Sequence, residues 1–196
     1  MKILGITGGT GSGKTTLLRC VERRGGVVID CDALYHELLQ SDAALLEGIS
    51  TRFPGVIAQG VLDRKKLGKL VFGDAAALRD LNRITHGAVC RAVREKLDAA
   101  RRDGTALAAV DAIALFESGL AALCGRTVAV TAPREQRIER LMRREGISAE
   151  YAAQRIDAQK RDDEFSQMAD FTLENAGTQA EFEEKRAKYT HAQPFT

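Results

Sequence analysis

Residues 2–16 read Lys2-Ile3-Leu4-Gly5-Ile6-Thr7-Gly8-Gly9-Thr10-Gly11-Ser12-Gly13-Lys14-Thr15-Thr16. A short run of branched apolar residues feeds into glycines, and residues 14–24 then carry Leu17, Leu18 and Val21 at helical spacing. That order is strand, loop, helix. Residues 8–15 match G-x-x-x-x-G-K-[ST], and the position between a strand and a helix is the context that gives this pattern physical meaning. Glycines let successive backbone N–H groups turn inward around phosphates, while the helix N-terminus adds partial positive charge. The loop is therefore expected to hold a nucleoside triphosphate through Gly9, Gly11, Ser12, Gly13, Lys14, Thr15 and Thr16. Lys14 should reach the β- and γ-phosphates, and the Thr15 hydroxyl should ligate Mg²⁺.

Working outward, Gly25-Gly26 stops the helix, and Val27-Val28-Ile29 is a continuous apolar run suited to a buried parallel strand ending at Asp30 and Asp32. Residues 33–104 show no strand-like run; their apolar residues recur at helical spacing instead. Strands resume at residues 107–110, 127–131 and 171–173, separated by helical material. Pro133 can open a helix and Gly146 can close it, Ser148 caps the next one through Ile156, and Thr178-Gln179-Ala180-Glu181 is a capping box for a C-terminal helix. These elements predict one α/β domain, a three-layer α/β/α P-loop NTPase fold with about five mostly parallel strands. Its core would span residues 1–32 and 105–196, a helical substrate lobe about 33–104, and a lid about 140–165.

The chain of 196 residues is long enough for one core and short for two. With 29 basic against 27 acidic residues the net charge is +2, too small a field to imply nucleic acid as partner. The first apolar stretch, Ile3 to Ile6, is too short for a signal-peptide core or a membrane helix, so no export or membrane attachment is expected. Cys20, Cys31, Cys90 and Cys124 lack C-x-x-C spacing, which argues against zinc and disulfides and for free thiols in a reducing cytosol. A monomer is the default expectation.

A phosphate loop fixes the ligand class without fixing the reaction. The length, the helical insertion and the late run Arg134, Arg137, Arg140, Arg143 and Arg144 suit a small kinase with a closing lid, which keeps water from the γ-phosphate. The same arginines also read as the solvated face of an amphipathic helix. Phosphorylating an alcohol calls for a carboxylate near the acceptor hydroxyl, and Asp30 and Asp32 lie at the carboxyl edge of the second strand. Asp32 is the preferred base, with helix capping the alternative role for either. Asp111 closes an apolar strand and is a candidate Mg²⁺ ligand. A guanine-selecting N-K-x-D, expected of a switch, is absent from the sequence.

Several segments together resemble the dephospho-CoA kinase family. Residues 7–16 are similar to its T-G-G-x-G-S-G-K-[ST]-T, and Val28-Ile29-Asp30-Cys31-Asp32 to its V-I-D-x-D, whose second aspartate is taken as catalytic base. Asp63-Arg64-Lys65-Lys66-Leu67 with Val71-Phe72, Leu115-Phe116-Glu117-Ser118, Arg140-Leu141-Met142-Arg143-Arg144, Arg155-Ile156-Asp157-Ala158-Gln159 and Ala169-Asp170 with Asn175-Ala176-Gly177 extend the likeness to about residue 186. The chain departs from the family pattern at Gly87, after His86, and at Ile113-Ala114. The resemblance implies transfer of the ATP γ-phosphoryl to the ribose 3′-hydroxyl of dephospho-CoA. It implies Asp32 as base, Arg140, Arg144 and Arg155 as lid or phosphate residues, Asn175 and Gly177 on the adenine side, and His86 and Glu117 in the substrate lobe. His36 and His191 carry no functional expectation.

Overall fold

In the computed structural model, which describes residues 1–176, the chain begins with β1 (Lys2–Thr7), α1 (Lys14–Arg23) and β2 (Val27–Asp30). It continues through α2 (Cys31–Ser41), α3 (Ala43–Arg52), β3 (Ile57–Ala58), β4 (Val61–Leu62), α4 (Arg64–Val71) and the long α5 (Ala75–Arg102). Then come β5 (Leu107–Asp111), β6 (Arg126–Thr131), α6 (Arg134–Glu145), α7 (Ala149–Asp157), α8 (Asp162–Met168) and β7 (Phe171–Glu174). Gly177, the capping box at Thr178 and His191 lie outside the described residues.

Strands β2, β5, β1, β6 and β7 form one sheet in that order, every pairing parallel. The central strands are apolar on both faces because both are covered. Alternation along them splits the core in two. Ile3, Ile29 and Val110 pack under Val89, Val93 and Leu97 of α5, whereas Leu4, Ile6 and Ala109 pack under Leu17 and Val21 of α1. The five-stranded parallel sheet between helical layers is the expected α/β fold.

The segment between β2 and β5 has its own small core of Leu39, Leu45, Ile49, Phe53, Val56 and Leu67. Asp30, Asp42, Asp63 and Asp74 each cap the helix that follows, accepting from first-turn N–H groups and satisfying orphan donors there. Two differences from expectation appear here. The segment is not purely helical: β3 and β4 form a two-residue antiparallel hairpin, turned by Gln59 and Gly60 at φ 52° and 78°. Positive φ at both turn positions is the geometry that matches strand twist in a tight hairpin. Strands this short leave no period to read. Moreover, the helix after β2 begins at Cys31, so Asp32 sits in its first turn rather than on extended chain.

Near the other end, Gly146 closes α6 in the left-handed conformation, and the Ser148 hydroxyl accepts from the Tyr151 N–H at 3.2 Å to open α7, both as the sequence predicts. Helices α6 and α7 pack through Leu141, Ala152 and Ile156.

Ile6 is fully buried directly below the phosphate loop. Ile6→Ala should cost about 2–5 kcal/mol of stability through lost transfer energy and the residual cavity. In urea unfolding the midpoint should fall while the m-value holds.

Candidate active site

The shape of the glycine loop is set from outside. Arg137 Nε donates to the Thr10 carbonyl at 2.9 Å, Arg140 Nη1 to the Gly11 and Ser12 carbonyls at 3.2 Å each, and Asn175 Nδ2 to the Ser12 carbonyl at 2.9 Å. Three consecutive carbonyls are thereby held by donors, leaving the loop interior to N–H groups, among them those that open α1, while the Thr16 N–H turns back to the Gly13 carbonyl at 3.1 Å. Gly8, at φ 134°, lies so close to β6 that a Cβ there would overlap the Val130 carbonyl oxygen. A Cβ on Gly13, at φ 99°, would overlap the Asn175 amide. Lys14 Nζ donates to the Gly8 carbonyl at 2.9 Å, folded back along its own loop.

The carboxylates lie at the carboxyl edge of the sheet because β2 and β5 are neighbours, with Asp30 in register with Asp111. Asp30 Oδ1 accepts from the Asp32 and Ala33 N–H groups at 2.9 and 3.0 Å, so the capping role falls to Asp30. That leaves the exposed Asp32 carboxylate facing a cleft of about 230 Å³ lined also by Tyr35, Thr85, His86 and Ser118. Asp111 is half-buried, and its Oδ1, itself buried, has no hydrogen-bond partner. Burial pushes its carboxyl up to about 6; the Lys14 ammonium opposes this, and the negative charges of Asp30 and Asp32 add to it. The four groups therefore share one electrostatic environment. On α1 the Thr15 side chain is exposed at the mouth of the loop, with Thr16 beside it.

His86 lines the cleft, its imidazole held below the usual range by burial, with Glu117 pulling the other way. Glu117 forms an ion pair with Lys160. One residue earlier, Gln159 Oε1 accepts from the Thr10 N–H at 2.8 Å. The connection between α7 and α8 thus touches both the phosphate loop and Glu117, whose carboxylate lies near the cleft residue His86. Sequence reasoning missed Gln159 and Lys160, although Gln159 closes the segment Arg155-Ile156-Asp157-Ala158-Gln159.

The late arginines divide. Arg134 pairs with Asp157 on the surface, and Arg144 and Arg155 both bond Glu145, away from the loop. Arg140 is half-buried and engaged on loop carbonyls, on Gln136 and on the Asn175 carbonyl, which makes it a residue that shapes the loop. Arg137 corrects the solvated-face reading of its helix. It is only 4% exposed, donates to Asp162 Oδ1 at 2.8 Å as well as to Thr10, and lies against Gly9 and Gly11. Its signal was positional: Arg137 shares a helix face with fully buried Leu141, four residues on.

The donor set fits a magnesium site. An unpartnered buried carboxylate oxygen on Asp111 and the exposed Thr15 hydroxyl are hard oxygen ligands. Among the described residues no three His, Cys, Asp or Glu side chains are placed to hold a metal ion by themselves, so an ion here would complete its shell with water and substrate phosphates.

The chain is similar to known proteins over most of its length. A dephospho-CoA kinase from Anaeromyxobacter dehalogenans is 41% identical over 179 residues, covering 90% of this chain and 85% of that protein. Among solved structures, a Thermus thermophilus protein superposes with a TM-score of 0.81 at 34% identity, covering 97% of this chain and 96% of that one. A dephospho-CoA kinase from Campylobacter jejuni gives 0.66 at 26% identity, with coverage of 97% and 96%. The dephospho-CoA kinase family model matches residues 2–181, so the chain belongs to the dephospho-CoA kinase family.

Proposed function

We propose that the chain transfers the γ-phosphoryl group of ATP to the 3′-hydroxyl of the ribose of dephospho-CoA, giving CoA and ADP. The observation that carries this reading is the division of labour between Asp30 and Asp32: the first is spent on its helix N-terminus, and the second stands free in the cleft beside the phosphate loop. The ribose hydroxyl lies against Asp32, which orients it and accepts its proton. The hydroxyl oxygen bonds to the γ-phosphorus as the bond to the β,γ-bridging oxygen breaks.

Loop N–H groups hold the donor phosphates. Lys14 leaves the Gly8 carbonyl to follow the transferring group, trading a neutral acceptor for an anionic one. Thr15 and Asp111 would hold Mg²⁺, which would supply positive charge to offset that of the donor phosphates. Arg137, Arg140 and Asn175 act through the loop by fixing its carbonyls. His86 and Glu117 serve the acceptor side, Glu117 also anchoring Lys160.

The reading expects a cytosolic monomer. Among the described residues no helix is long and apolar enough to cross a membrane. The four cysteines are free, and burial holds the Cys31, Cys90 and Cys124 thiols up, as suits inert core residues.

Phosphate transfer should be measured with dephospho-CoA against adenosine, uridine, AMP and shikimate. Dephospho-CoA should give the highest kcat/KM, and absence of CoA formation by folded protein would sink the proposal. Asp32→Ala should lower kcat by roughly 10²–10⁴-fold with ATP affinity retained.

In the metal-free protein, the raised Asp111 carboxyl binds its proton more tightly folded than unfolded, so stability falls as pH rises from about 4 to about 6. Asp111→Asn should therefore raise the melting temperature at pH 8, a gain that disappears near pH 4; an equal gain at both values would contradict this environment. Arg137→Met removes a buried donor from Thr10 and a partner from Asp162, costing about 1.5–3 kcal/mol. Steady-state kinetics should show KM for ATP rising more than KM for dephospho-CoA.

A further inference from the structure

The cleft beside Asp32 poses an electrostatic problem. No lysine or arginine is among its lining residues, while Asp32 faces it and Asp30 and Asp111 stand close behind. An acceptor that brings its ribose hydroxyl to Asp32 also brings the diphosphate attached to its 5′ end. Two phosphate charges beside three carboxylates need a permanent cation, and Arg64 is linked to the cleft through His36 and Tyr35.

Arg64 is the first residue of α4, placed there by Asp63, whose carboxylate accepts from the Lys66 N–H at 2.9 Å and caps the helix. Its Nη2 lies 3.1 Å from His36 Nδ1, an acceptor that leaves the guanidinium charge uncompensated. His36 is adjacent in sequence to Tyr35, with ring centroids 5.9 Å apart, and Tyr35 lines the cleft. Arg64 also acts electrostatically on the Tyr35 phenol, opposing the upward push of burial. Among the described residues no carboxylate forms an ion pair with Arg64, in contrast to Arg83, Arg101, Arg134 and Arg161. Asp32, Tyr35 and His36 lie three and four residues apart, on one face of α2 and about one turn, ~5.4 Å, along it. That span resembles the reach from the 3′-oxygen of a ribose to its own 5′-phosphate.

We propose that Arg64 is a specificity residue for the acceptor, pairing with its 5′ diphosphate while Asp32 holds the 3′-hydroxyl of the same ribose. The inference rests on the acceptor reading given above. On binding, the guanidinium exchanges His36 for phosphate oxygens, which its planar fork can meet with two parallel hydrogen bonds. Because Arg64 lies remote from the transferring phosphoryl, its contribution falls on acceptor affinity and on the choice between a diphosphate-bearing acceptor and a bare nucleoside.

The test is calorimetry with the donor site filled by a non-hydrolysable ATP analogue. Dephospho-CoA and adenosine are titrated separately into wild type, Arg64→Gln and Arg64→Lys. Arg64→Gln should weaken dephospho-CoA binding roughly 10- to 100-fold, the range for a lost charged hydrogen-bond partner, and change adenosine binding less than about twofold. Arg64→Lys should recover part of that loss, because it keeps the charge without the fork. The proposal is overturned if Arg64→Gln weakens both ligands alike, which would make the residue a support of the lobe, or if it weakens neither. Wild-type protein that fails to bind dephospho-CoA at all would instead overturn the acceptor reading itself. Arg64 is exposed, so its variants should fold, and unchanged binding of the ATP analogue verifies this.

Discussion

Three backbone carbonyls turned away from a phosphate site are the constraint on which the rest of this structure depends. A glycine-rich loop is by nature the most mobile part of a chain, since glycine loses more freedom on ordering than any other residue. Here Arg137, Arg140 and Asn175 hold the Thr10, Gly11 and Ser12 carbonyls, so the ordering cost is met during folding rather than when nucleotide arrives. The three donors come from α6 and from the end of β7, which requires the far side of the sheet to be complete before the loop has its shape.

The sheet itself supplies the second half of the site. Strand order places β2 beside β5, and parallel pairing brings the carboxyl ends of both to the same edge as the loop after β1. Acidic residues gather there, and burial, with a smaller contribution from their repulsion, keeps the Asp111 carboxyl well above its ordinary range. Such a charge concentration destabilises the empty protein and is of use only to a protein that receives cations and phosphates at that spot.

Much of this was legible in the sequence. The strand, loop and helix of residues 2–23 follow from local chemistry alone, as do the ends of α6 and α7 at Gly146 and Ser148. Asp32 was preferred over Asp30, but the reason is structural: only the helix start at Cys31 decides which carboxylate reaches the free amides. The Gln59-Gly60 hairpin escaped because two-residue strands carry no period, and Arg137 because charge at helical spacing reads as solvent-facing until its burial partners are known. Gln159 and Lys160 depend on contacts across more than forty residues of chain, which no local pattern encodes.

The ion pair between Lys160 and Glu117 joins the connection between α7 and α8 to the segment that follows β5, and both side chains remain more than a third exposed. An exposed pair of this kind contributes about 0–1 kcal/mol, comparable with thermal energy, and weakens as salt screens it. The two sides are therefore tied by a bond that ordinary fluctuations break.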